Sequence, residues 1–302
     1  MSALFRQKLL RWYRVHGRTL PWRHTHDPYK ILLSEMMLQQ TQVDRVIERY
    51  TCWLKRFPTV QSLGQASPAD ALRAWSGLGY NRRALALHQI AQHVVNEHHG
   101  RSPKDVNALR QFKGIGQYTA HAIAVFAYRQ PVPLVDTNIK RVLGRIFLGY
   151  KQLARQRDEE DVFWELSRQI IARSKRSYDL NQGLMDFGAL VCTAKQPKCH
   201  TCPMQTICKS YPAILRANPE RLRVKPKRHE PLYFGQPRRI WRGRILRYLH
   251  TISPATLPTI GRAIQPDWQA KRLPWLTSVV HTLEKDQMVV RRGVTVHLTD
   301  IL

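Results

Sequence analysis

Residues 112–147 read FKGIGQYTAHAIAVFAYRQPVPLVDTNIKRVLGRIF. Lys113-Gly114-Ile115-Gly116 is a short glycine turn, and Gln117 to Tyr128 is an apolar run with few breakers, long enough for about three turns of helix. Ser102-Pro103 opens an earlier helix that runs to Phe112, so the turn joins two helices. Gly114 and Gly116 leave backbone N–H groups uncovered at the start of the second helix, whose first turn holds Gln117 and Thr119. Unpaired donors and the helix dipole point the same way there, which attracts anions. A Pro-bounded loop then delivers Asp136 ahead of a helix beginning near Asn138. A phosphate at the turn would place Asp136 close to the adjoining sugar. The same features also suit a plain tight turn and a helix N-cap.

Upstream, Asp27-Pro28 can start a helix, with Asp as N-cap and Pro at the first position. The following helix is almost continuously apolar near 36–38, so Glu35 lies amid Leu32, Leu33, Met36 and Leu38. Desolvation raises the pKa of such a carboxyl, as a general acid at neutral pH requires; a surface Glu paired with an Arg is the alternative. Gln39-Gln40-Thr41-Gln42 is a polar block in this apolar stretch, able to contact base edges or wedge into a stack. GLGYNRRA carries Tyr80 beside Arg82 and Arg83, which suits a wedged or flipped base. Trp22 and Arg23 can meet DNA or brace their loop. Cys52, in an apolar helical stretch, is expected in the core. Pro58, Gly64, Pro68 and Gly77-Leu78-Gly79 divide short amphipathic segments into a compact helical bundle.

Downstream, Lys140, Arg141 and Arg145 form a basic face beyond Asp136. Helices at about 161–174 and 179–191 lead into Cys192, Cys199, Cys202 and Cys208, spaced C-x6-C-x2-C-x5-C. Four thiols so close bind metal; thiolates suit tetrahedral zinc or a [4Fe–4S] cluster, and thiol count alone leans to zinc. Residues 211–235 read as a basic linker. Beyond it, RIWRGRILRYLHTI is a basic amphipathic helix, followed by short helices near 256–263 and 272–284 and a hairpin around Arg292-Gly293. That order is winged-helix-like, a DNA-docking relative of the helix-turn-helix.

The 302 residues carry 49 Lys+Arg against 21 Asp+Glu, a net charge of +28. Such an excess destabilises a compact fold unless a polyanion shares it, which favours nucleic acid over membrane as partner. No apolar run approaches the ~18 residues of a membrane span, and the N-terminus lacks signal-peptide character. An odd cysteine count argues against a disulfide framework. The expected location is cytoplasmic, at the nucleoid.

LPWR (20–23), PYK (28–30), SEMMLQQTQV (34–43), GLGY (77–80), GIGQYTA (114–120), VDTNIKRVL (135–143) and the cysteine spacing together resemble the helix-hairpin-helix DNA glycosylases, and among them the adenine-specific MutY type. The resemblance covers residues 5–210. It implies a mainly α, two-lobed fold: a six-helix barrel at 25–130, and a cluster-side domain from 1–24 and 131–210. The basic linker (211–235) and a winged-helix-like domain (236–302) would follow. It implies a [4Fe–4S] cluster in place of zinc. Glu35 matches the acid that protonates the leaving adenine, Asp136 the carboxylate that stabilises the sugar cation, and Asn138 a residue bonded near it. Tyr118 stands where bifunctional relatives carry a Schiff-base lysine, which implies a monofunctional enzyme. Gln182 matches a contact to the adenine edge, and Gln40 and Tyr80 match residues that wedge into the duplex. The implied partner is double-stranded DNA with a mismatch or oxidised base, bound by a monomer; no protein partner is deducible. Thr137 replaces a frequent Gly, and the usual C-terminal reader of 8-oxoguanine is not recognisable. A thymine/uracil mismatch glycosylase and a non-catalytic DNA-binding protein are the alternatives.

Overall fold

The computed structural model describes residues 2–149, 160–172, 174–216 and 230–300. The chain folds into two compact units. One comprises residues 1–32, 103–111 and 115–227; the other comprises 33–102, 112–114 and 228–302. The division differs from the expected one. Most of residues 103–130 belong with the cysteine-bearing part, and the C-terminal tail belongs with the helical bundle.

The first unit holds α1 (Ser2–His16), the start of α2 (Pro28–Leu38), α7 (Val106–Arg110), α8 (Gln117–Phe126), α9 (Thr137–Leu143), α10 (Glu160–Ile171) and α11 (Ser177–Leu190). α11 packs on both α1 and α9. Two glycines let it approach: a Cβ on Gly183 would meet Leu9 and Tyr13 of α1 at 3.3 Å, and one on Gly188 would meet Asn138 Cβ of α9 at 2.8 Å. α9 continues as a π-helical turn over Gly144–Leu148. Asp27 caps α2 as expected, accepting from Tyr29 N–H at 2.9 Å. α7 is shorter than expected, because Asp105 caps it by accepting from Ala108 N–H at 2.9 Å.

The second unit is built from α3 (Val43–Arg56), α4 (Val60–Gly64), α5 (Pro68–Ala74) and α6 (Arg82–Glu97), with the tail elements α12 (Arg238–Thr251), α13 (Leu257–Ile264) and α14 (Leu273–Lys285). Trp53 packs edge-on against Phe57 and Trp75 in the bundle core. α3 buries Val46, Tyr50 and Trp53, spaced three and four apart, which leaves Cys52 on the other face. Cys52 is exposed, contrary to expectation. β1 (Leu232–Tyr233) and β2 (Gln236–Pro237) form a small hairpin. β3 (Ala255–Thr256), β5 (Thr295–Leu298) and β4 (Val289–Arg292) form an antiparallel sheet in that order. Three helices with this sheet and its hairpin make the expected winged-helix arrangement. The tail meets the bundle through Arg73 Nε, which donates to His250 O at 3.4 Å, and through the Arg82–Asp286 ion pair at 3.6 Å. Of the expected linker, residues 217–229 lie outside the described residues. Among the described residues no helix is long and apolar enough to cross a membrane.

Candidate active site

Glu35 sits on α2, where every residue from Ile31 to Met37 is buried and Glu35 itself is 6% exposed. A carboxyl there is removed from bulk water, as its apolar flanks require.

Asp136 is the N-cap of α9. Its Oδ1 accepts from Ile139 N–H at 2.6 Å and its Oδ2 from Asn138 Nδ2 at 3.0 Å. Burial pushes its pKa above the usual carboxylate range, while these two bonds and the Arg141 charge oppose the rise. The cap therefore uses one oxygen: Oδ1 is tied to the helix, and Oδ2 is oriented by Asn138. Asn138 Oδ1 in turn accepts from Arg141 Nη2 at 2.7 Å, and Arg141 Nε donates to Cys192 O at 2.7 Å. A continuous hydrogen-bonded path thus runs from the Asp136 carboxylate to the first cysteine. Arg141 also donates to Gly188 O at 2.7 Å, and Arg145 donates to Thr193 O at 2.7 Å. The expected basic face of α9 is thus turned inward at Arg141 and Arg145, which hold the cysteine loop, and Lys140 pairs with Glu160.

Tyr118, on α8, directs its hydroxyl to Met185 Sδ at 3.9 Å. A phenol forms no imine, so this position supplies no Schiff-base nucleophile. Gln182 is buried and hydrogen-bonded to Tyr178. Gly114 adopts φ +102°, a conformation that favours glycine, and the space where a Cβ on Gly116 would stand is open to 4 Å. Gly114, Gly116 and Gln117 are exposed, whereas Thr119 is buried. The Thr119 side chain is therefore corrected from the expected DNA contacts: it lies on the inner face of α8.

Arg23 is a second correction. Its guanidinium clasps Asp186 through two bonds of 2.7 Å, and Arg18 Nε adds a third at 2.7 Å. Asp186 is fully buried and Arg23 nearly so. Burial works against the Asp186 anion, but Arg23 and Arg18 hold its pKa below the usual range. Arg23 braces its loop and is not free for DNA. An acid in the apolar α11 sequence is the one available signal for its partner.

In the second unit, Gln40 (φ 58°) and Tyr80 (φ 48°) stand at loop tips in left-handed backbone, and Tyr80 is 60% exposed. Such conformations cost about 1–3 kcal/mol each and are kept where the surroundings impose them. What imposes them is Arg83, whose place beside Arg82 in the sequence suggests a base-facing cation. It is buried instead, and Nη1 donates to Met36 O at 2.6 Å and Gln39 O at 2.5 Å, while Nη2 donates to Gly79 O at 3.2 Å and Thr41 Oγ1 at 3.4 Å. Its guanidinium also lies 5.4 Å from the Tyr80 ring centroid. Burial pushes its pKa down to about 10, so it remains a cation at neutral pH. One arginine thereby satisfies the carbonyls at the end of α2 and ties the Gln39–Thr41 loop to the Tyr80 loop. Gln39 is exposed, and Arg82 is exposed beside Asp286.

The four cysteines follow α11. Burial raises the pKa of Cys199, Cys202 and Cys208, that of Cys202 to about 11, and the other thiols of the set raise each further. Met204 N–H donates to Cys202 Sγ at 3.4 Å, and Arg145 Nη1 reaches Cys192 Sγ at 3.5 Å. Sulfurs that feel one another's charge, with N–H donors and an arginine directed at them, fit an anionic metal–sulfur group.

Comparison with known proteins agrees with this geometry. Residues 33–169 match the HhH-GPD superfamily of base excision DNA repair proteins, and residues 192–208 match the iron–sulfur binding domain of endonuclease III. The second match replaces the zinc suggested by thiol count with a [4Fe–4S] cluster. The chain is 38% identical over 264 residues to the adenine DNA glycosylase of Mycobacterium tuberculosis H37Rv, covering 86% of this chain and 82% of that one. It is 38% identical over 216 residues to that of Homo sapiens, covering 68% of this chain and 39% of that one. Among solved structures, a thermostable thymine-DNA glycosylase aligns with a TM-score of 0.64 at 29% identity, over 70% of this chain and 96% of that one. A non-covalent endonuclease III–DNA complex aligns with a TM-score of 0.60 at 18% identity, over 72% of this chain and 99% of that one, which shows the fold. The chain belongs to the adenine DNA glycosylase family, within the HhH-GPD superfamily of base excision DNA repair proteins.

Proposed function

We propose that the enzyme hydrolyses the N-glycosidic bond of adenine mispaired with guanine or 8-oxoguanine in duplex DNA, acting as a monomer at the nucleoid. Glu35 gives its proton to the departing adenine, the ionised Asp136 stabilises the oxocarbenium-like sugar, and water adds to the anomeric carbon. Asn138 orients Asp136. Gln40 and Tyr80 wedge into the duplex and help extrude the base, which costs about a few kcal/mol. Gly114, Gly116 and Gln117 meet a phosphate near the lesion, and Gln39, Thr41 and Arg82 lie beside the wedge. Gln182 reads the adenine edge; a base extruded into a closed pocket meets buried side chains, so its burial is compatible with that role. Without a lysine at Tyr118 the enzyme is monofunctional. Cys192, Cys199, Cys202 and Cys208 ligate the cluster, which when bound draws these four points of the loop together. Each of the two lobes and the winged-helix tail is a domain in this reading.

The observation that carries it is Asp136, capped and oriented in α9, in a chain that also buries Glu35 within the apolar run of α2. Retention of both carboxyls disfavours a non-catalytic role. The similarity to a thymine-DNA glycosylase structure keeps thymine and uracil as the second reading. Single-turnover reactions on duplexes holding A:8-oxoG, A:G, T:G or U:G, followed by hot alkali, separate the two. Adenine loss, with strand scission only after alkali, is expected; its absence from both adenine duplexes refutes the assignment.

A further inference from the structure

The tail's third helix, which a winged helix normally presents to DNA, carries little of the tail's charge. This helix, α14, holds one Lys and one Glu, whereas the first, α12, holds Arg238, Arg239, Arg242, Arg244 and Arg247 and no acid. α12 lines a groove of 890 Å³ whose other wall is Gln39, Gln40, Arg45 and the Gly77–Arg83 loop, all within the second unit. Asp286 is the sole acid among the lining residues. His250, also in the lining, has its pKa pushed down to about 4 by burial and by the Arg73 and Arg247 charges, which reports a positive field.

Gly243 is the second observation. It lies in the middle of α12 and lines the groove. Glycine weakens a helix interior relative to alanine. Yet nothing lies within 4 Å of where its Cβ would stand, and its φ is not left-handed. The protein's own packing therefore gives no reason for glycine there. Arg247, one turn after it, is exposed on the same helical face, as is Arg239 one turn before it, which forms a surface ion pair with Glu230. Bare backbone between two cations lets a ligand approach closely there.

We infer that a DNA strand lies across α12 at Gly243, its phosphates between Arg239 and Arg247, directly beside the wedge residues Gln40 and Tyr80. The inference rests on the proposed DNA-wedging role of those residues and adds a backbone site built jointly by bundle and tail. It assigns the tail's DNA contact to the first helix of the winged fold rather than to α14 and the wing.

The groove has room for a new side chain at 243, so substitution there tests the site without removing any existing contact. Binding of the full chain to a duplex with one A:G mispair, its adenosine 2′-fluorinated to block cleavage, is measured across a salt series. Gly243→Glu is expected to weaken binding about tenfold and to flatten the salt dependence, because phosphate neutralisation sets that slope. Gly243→Arg is expected to steepen it by about one unit of log–log slope. Melting temperatures at or above the parent's verify that both variants fold. Arg292→Glu on the wing is expected to leave binding near the parent's. A folded Gly243→Glu protein with parental affinity and slope overturns the site, as does loss at Arg292 with none at 243. Because the readout is retention of uncleaved DNA, failure of adenine release by the parent enzyme would refute the proposed substrate alone.

Discussion

Asp136 carries two opposing demands at the residue scale. Burial raises its pKa, against the two hydrogen bonds and the Arg141 charge. A carboxyl whose folded pKa is raised adds no cost below its unfolded value; the cost grows as pH rises through that value and is complete above the folded pKa. At neutral pH the ionised side chain therefore works against folding. Asp136→Asn keeps an oxygen for the Ile139 cap, so its melting temperature at neutral pH is expected at or above the parent's, with the difference vanishing in acid, while base excision is lost. A clear fall in melting temperature at neutral pH would contradict this balance. Glu35→Gln is expected to abolish turnover while DNA binding persists, read by single-turnover rates beside binding. Asp186 shows the opposite sign. Burial is outweighed by Arg23 and Arg18, so its pKa is lowered. Its contribution is fully present above the unfolded carboxyl pKa and is lost as pH falls through the folded one. Arg23→Ala, which strands this buried anion, is expected to cost about 3–5 kcal/mol by denaturant unfolding at neutral pH.

Element packing sets where these groups stand. α11 comes so close to α9 that a Cβ at Gly188 would lie 2.8 Å from Asn138 Cβ. Gly188→Ala must push α9 outward at the turn that holds Asp136 and Asn138. It is expected to lose about 1–3 kcal/mol of stability and to slow excision, with little change in DNA affinity, as unfolding curves and single-turnover rates will show. The Gln40 and Tyr80 loops are the converse case, since their strain lies in the backbone. Tyr80→Gly removes an unfavourable left-handed tyrosine, so its melting temperature should change little. Loss of the stacking ring should nevertheless slow excision about tenfold. Both effects depend on close approaches between helices or loops that periodicity alone does not encode.

The cluster, the tail and the division into units belong to the scale of the whole molecule. Cys202→Ser is expected to lose iron and the associated visible absorbance and to loosen the loop held by Arg141 and Arg145, measured by iron content and thermal melting. Much of this protein follows from local sequence alone. Turn glycines, Pro-bounded helix starts and apolar spacing mark the helices, the hairpin and the winged tail, because each acts within a few residues along the chain. The burial of Glu35, the capping place of Asp136 and the grouping of the four cysteines are legible for the same reason: each depends on immediate neighbours and spacing. Tertiary structure alone decides which cations remain outside. Arg23, Arg83, Arg141 and Arg145 look like solvated or DNA-facing charges in the sequence, yet each is turned inward to a carboxylate or to backbone carbonyls far along the chain. A guanidinium carries the same charge in either setting, and only the three-dimensional position of its acceptors determines whether it holds the fold together or meets a phosphate.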